Sequence, residues 1–145
     1  MPLLTLQRMT LHGPEQLVRA LQITYTSCME CMEAEGFIAG KVCGEPTHVL
    51  WTMTLWDNGE NAKKYVYRGA HMEGVKEQAA LSKEAVNCHV DYDSTELPSW
   101  DEGYEILRRN ALFTDRLENP GENHINRIVI PPADMTMTFH LSPKQ

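Results

Sequence analysis

His48-Val-Leu-Trp-Thr-Met-Thr-Leu-Trp56 is the most strongly patterned stretch of the chain. Val49, Trp51, Met53 and Leu55 fall on one side of an extended segment, and Thr52, Thr54 and Trp56 on the other. Phe37–Val42 reads as a second strand, and Gly44-Glu-Pro46 supplies the turn that makes the two a hairpin. Upstream, Gly13-Pro14 ends a strand over Leu3–His12 and opens a helix, Pro14 suiting a first turn where its missing N–H costs nothing. Leu17, Val18, Leu21, Tyr25, Cys28, Met29 and Met32 recur at helical spacing, predicting one apolar face from Glu15 to about Glu35. Downstream, Asp57-Asn58-Gly59 is helix-entry chemistry. A second helix is predicted from Glu60 towards Ser82, broken at Arg68-Gly69, and a fourth strand over Val86–Tyr92.

The order β-α-β-β-α-β builds a ferredoxin-like α+β fold: an antiparallel four-stranded sheet with two helices on one face and right-handed crossovers. Such a sheet has a second face, and the strand ending at Trp56 offers bulk to both. A second copy of the chain is the economical cover; the tail, Met135–Leu141, is the alternative within one chain. Leu97-Pro-Ser-Trp-Asp-Glu102 starts a short helix to about Asn110, capped by Ser99 or Asp101. Residues 1–110 form the predicted domain; 111–145 form an arm with a possible extra strand and are not an independent domain.

Composition narrows the function classes. The 145 residues are 42% hydrophobic and 23% charged, which suits one globular domain with a real core. A formal charge of −7 disfavours nucleic acid and anionic membrane as partners, since both are bound through basic patches. No apolar run approaches the ~20 residues of a membrane span. The start lacks the pattern of a signal peptide, so a cytoplasmic protein with reduced cysteines (Cys28, Cys31, Cys43, Cys88) is expected.

The stretch Leu55-Trp-Asp-Asn-Gly-Glu-Asn-Ala-Lys-Lys-Tyr-Val-Tyr-Arg-Gly-Ala-His-Met72, with Leu97–Glu102 after the fourth strand, resembles the dimeric α+β barrel superfamily. It is most similar to the antibiotic-biosynthesis-monooxygenase-like members with an LPSW-[DE]-E segment, and distantly similar to spheroidene monooxygenases. The resemblance spans about residues 3–110. It implies a homodimer whose lumen, between sheet and helices, takes a hydrophobic small molecule. Cofactor-independent oxygenases, haem enzymes, cyclases and lyases all use this fold, so the resemblance implies a class rather than a reaction.

His71 is the first candidate for chemistry. Placed after the break at Gly69, it falls in the first turn of a half-helix, where the dipole favours a neutral ring that can act as general base. The resemblance adds haem ligation as the other role, loosely, because haem-degrading members carry their His about a turn further along. Packing at a kink is the structural alternative. Arg68 suits an anionic intermediate through its planar fork, or else a solvated helix surface. Trp51, Trp56, Tyr65 and Tyr92 are candidates to line the pocket, Tyr92 also to orient a substrate oxygen, although core packing serves any single aromatic as well. Tyr65 and Tyr67 are two apart on a helix, so at most one faces inward. His89 and Asp91 share a strand face, either lumenal or plain surface. Cys28-x-x-Cys31 lies deep in a helix, away from the N-terminus that redox chemistry needs, and has no companion ligands for a metal. A non-catalytic ligand-binding or dimeric interaction protein is the rival reading, motivated by the arm and its edge strand.

Overall fold

The structure is a computed structural model that describes residues 1–67 and 69–144, and of Ala70 the backbone alone. The register of the strands fixes its plan. Strand β1 (Leu3–Leu11) lies between β3 (Val49–Trp56) and β4 (Ser82–Asp91), antiparallel to both, and β2 (Phe37–Glu45) pairs with β3. Two short strands extend the edges: β5 (Leu112–Phe113) beside β4, and β6 (Thr138–Leu141) beside β2. The sheet order is β5-β4-β1-β3-β2-β6, whose inner four strands are ferredoxin-like. Helices α1 (Pro14–Glu33), α2 (Gly59–Val66) and α3 (Gly69–Leu81) lie on one face, and α4 (Trp100–Arg109) on the other. None is long and apolar enough to cross a membrane, among the described residues.

Alternation along the strands sorts side chains between two unlike layers. Leu4, Leu6, Trp51, Met53, Leu55 and Cys88 point away from α1–α3 and are almost completely buried. Their cover comes from the same chain: Leu107 and Trp100 of α4, then Val129 and Met135 of the arm. The face that sequence reasoning gave to a second copy is thus filled by α4 and the arm, while the tail strand extends the sheet edge.

The Leu97–Glu102 segment explains how α4 is held. Ser99 caps the helix by accepting from the Glu102 amide at 3.1 Å. Pro98 offers its carbonyl to Lys41 Nζ at 2.7 Å, and that ammonium lies 4.7 Å above the Trp100 ring. Trp100 tilts against Trp51 with ring centroids 6.1 Å apart and donates its indole N–H to Thr138 at 3.0 Å. Burial pulls the Lys41 pKa down.

Two sequence expectations shift. Strand β2 runs on through Gly44 and Glu45 because the Glu45 carboxylate is buried and used. It accepts from Trp51 Nε1 at 2.7 Å and from the amides of Ala133 and Asp134 at 2.8 Å. The turn moves to 46–48, where His48 takes a φ of 64°. Helix α1, in turn, buries the predicted stripe only in part: Leu17, Cys28, Met29 and Met32 are half-buried, whereas Val18, Leu21 and Tyr25 are exposed at 56%, 45% and 70%. Its inward side carries Ala20, Ser27 and Cys31. The ends of the helix pack through Leu17 and Met32, while between them Ala20, Ile23, Ser27 and Cys28 face an open space.

Candidate functional site

That space is a cleft of about 930 Å³ between the sheet and α1–α3, lined also by residues 113–116 of the arm. Gly69 places the key histidine on its wall. The residue takes a φ of +50°, a left-handed conformation that suits glycine, and any Cβ there would strike the Glu30 carboxylate. The break ends α2 and restarts the helix, so His71 sits in the first turn of α3, as the sequence predicted.

The His71 ring is held on two sides. Nδ1 lies 3.2 Å from the Val66 carbonyl, which can only accept, so Nδ1 carries the hydrogen and Nε2 is left as the basic atom. Tyr65 packs on the ring at a centroid distance of 5.1 Å. Burial lowers the His71 pKa, outweighing the Val66 bond and the Glu30 charge, which raise it. The neutral ring is the resting form at neutral pH.

Tyr65 continues an aromatic wall. Its ring lies 5.1 Å from Trp56, which packs edge-on to Phe37 at 5.5 Å. The Tyr65 hydroxyl bonds the Ser27 hydroxyl and donates to the Ser27 carbonyl at 3.0 Å. Burial pushes its pKa up, so this phenol is a locked wall group rather than an acid in play. Cys28 and Cys31 also line the cleft as protonated thiols, Cys28 pushed up to about 11 by burial. Neither has the lowered pKa that thiolate chemistry needs.

The predicted site residues therefore divide. Trp56, Tyr65, His71 and His89 all line the cleft, His89 at an exposed position. Trp51 and Tyr92 do not: both pack in the layer beneath α4, a correction that follows from strand alternation, since Trp51 and Trp56 face opposite ways. Asp91 is exposed and outside the lining, so it does not join His89 there. Arg68 lies outside the described residues. Sequence reasoning missed Gln7, Thr52 and Asn87 on the floor, and 113–116 of the arm. The first three were signalled by polar positions alternating with apolar ones in β1, β3 and β4. Among the described residues, no group of three or more His, Cys, Asp or Glu could hold a metal ion.

No family model and no curated protein matches the chain. Solved structures do. A mutant of SnoaB, a cofactor-independent oxygenase from Streptomyces nogalater, superposes with a TM-score of 0.54 at 13% identity, over 68% of this chain and 98% of that one. Rv0793 from Mycobacterium tuberculosis gives 0.57 at 6% identity, over 65% and 97%. A conserved protein from Methanosarcina mazei gives 0.55 at 15% identity, over 64% and 94%. At these identities the likeness shows a shared fold alone, in keeping with the ferredoxin-like α+β plan expected from the sequence. About a third of this chain lies outside it in each case.

Proposed function

We propose that the chain is a monooxygenase-like enzyme that acts on a hydrophobic small molecule in the cleft without a cofactor, with His71 as general base. The observation that carries this reading is the His71 ring itself: half-buried, neutral, its Nδ1 hydrogen committed to Val66, and set in the wall of a cleft large enough for a ring-bearing substrate. In the first step Nε2 takes a proton from an activated C–H or O–H group. The electron pair stays on the substrate, delocalised onto an oxygen. Oxygenation, with O₂ as the oxidant, is the following step that the fold shared with a cofactor-independent oxygenase favours.

The cleft floor argues against haem. Thr5, Gln7, Thr52, Thr54, Asn87 and His89 present polar groups there, and a macrocycle laid over them would strip water from amides that it cannot replace. A homodimer remains part of the proposal, through a surface other than the sheet face beneath α4.

Oxygen uptake with a panel of hydroxynaphthalenes tests the reaction. His71→Ala is expected to lower the rate by about 10²–10⁴-fold, the usual weight of a general base. Turnover unaffected by that change would remove His71 from the chemistry. Saturable binding without turnover would favour the binding-protein reading. A Soret band that develops on adding haem, and that His71→Ala abolishes, would restore the haem role.

A further inference from the structure

Strand register sets the cleft floor in rows. Thr5 stands between Thr54 and His89, and Gln7 between Thr52 and Asn87. The flanking rows are apolar on β1 and β3, with Leu3 beside Trp56 at one end and Met9 beside Leu50 at the other; on β4 the exposed Asp91 stands opposite Leu3, and Ala85 opposite Met9. A polar band therefore crosses the middle of this face, with a carboxylate at its Leu3 end. Part of it is already satisfied within the protein. Thr5 and Thr54 share a hydroxyl hydrogen bond, and Thr54 accepts from Trp56 Nε1 at 2.9 Å. The side chains of Gln7, Thr52 and Asn87 hydrogen-bond to no described residue.

Half-buried amides without partners are costly unless water or a ligand satisfies them. Directly opposed side chains on neighbouring antiparallel strands stand about 4.5–5.5 Å apart at Cβ, so Gln7 and Asn87 can both reach one ligand atom. Each carboxamide offers two N–H donors. The charged lining has a matching sign: Lys63, Lys76 and Arg116 against Asp115, in a chain of net charge −7. Cations outnumber carboxylates in this lining, at exposed positions, although the chain as a whole carries net negative charge.

We propose that Gln7 and Asn87 form an oxygen-binding subsite. It receives the carbonyl or phenolic oxygen of a ring-bearing apolar substrate and holds the negative charge that develops there when His71 removes a proton. The proton goes to Nε2, and the electron pair rests on the bound oxygen. The inference deepens the proposed function and rests on the cleft being the substrate site. It also names the substrate class: an apolar ring system bearing an oxygen substituent.

Calorimetric titration with naphthol and with methylnaphthalene of the same substitution position tests it, because the two probes differ only in the group offered to the amides. The intact protein is expected to bind naphthol about ten-fold more tightly. Gln7→Leu combined with Asn87→Leu should bring the two affinities within about a factor of two, by weakening naphthol alone. Gln7→Glu, which keeps the shape but replaces donors with a negative acceptor, should weaken naphthol by about ten-fold, and it decides the matter if the double variant does not fold. Equal affinities in the intact protein, no saturable naphthol binding, or an unchanged preference in the variants would overturn the subsite. A preference that depends on these residues in a protein that turns nothing over would leave the subsite standing and remove the enzymatic reading.

Discussion

His71 carries two separable consequences, one for rate and one for stability. Burial lowers its pKa in the fold, so the base form persists to lower pH than in a free imidazole. The kcat/KM profile of the intact protein is therefore expected to show its acid-side inflection below about pH 6.5, the ordinary histidine value. An inflection above that value would mean another base. The stability effect has a definite sign. An unfolded chain takes up the proton first as pH falls, so the contribution of the neutral ring is present above about 6.5 and is lost as the pH drops towards the folded value. His71→Gln should flatten that part of the stability curve in urea titrations at stepped pH. Elsewhere, Arg8 is 3% exposed and donates to Glu84 at 2.7 Å, with its Nε unpartnered. Glu84→Ala would strand the guanidinium and is expected to cost about 3–5 kcal/mol in chemical denaturation. A cost under ~1 kcal/mol would show that the pair is as weak as a surface bridge.

At the level of elements, helix α4 reaches the sheet through one small residue. A Cβ added at Gly103 would come within 2.5 Å of the Met53 methyl. Gly103→Val is thus expected to lift α4 from the sheet and destabilise by about 1–3 kcal/mol, the usual cost of overpacking. Near-UV circular dichroism should change with it, because Trp100 would leave Trp51. An unchanged spectrum would mean that the helix docks elsewhere. The elements themselves were legible where periodicity was strict: β3, β4 and the helix break at Gly69 all follow from alternation or backbone chemistry. Helix α1 was legible as a helix but not in its orientation. Hydrophobic periodicity assumes the whole bulky face goes inward, whereas a helix roofing a cleft packs Leu17 and Met32 and leaves Val18, Leu21 and Tyr25 in solvent. Strand ends were misjudged where a charged residue is buried, as at Glu45 and Glu84, because the partners that pay for its burial (Trp51 and the arm amides, and Arg8) are remote in sequence or unmarked by pattern. The same limit applies to the site. His71 and Trp56 announced themselves by type and place. Gln7 and Asn87 are ordinary polar residues until register sets them side by side.

The whole molecule inverts the expected division of labour between its surfaces. The sheet face beneath α4 is closed within one chain, whereas α1 presents Val18, Leu21 and Tyr25 to solvent, with Val75 of α3 also exposed at 41%. An exposed apolar stripe along one helix is a surface that a second copy can bury by docking. The proposed homodimer is therefore expected to form through α1, leaving the two clefts independent. Leu21→Glu combined with Tyr25→Glu should halve the mass seen by light scattering. Because these side chains are already exposed, the stability of the single chain should move by no more than about 0.5 kcal/mol. A dimer that survives both charges would place the contact elsewhere, with the β6 edge, bearing exposed Phe139, as the next surface to charge.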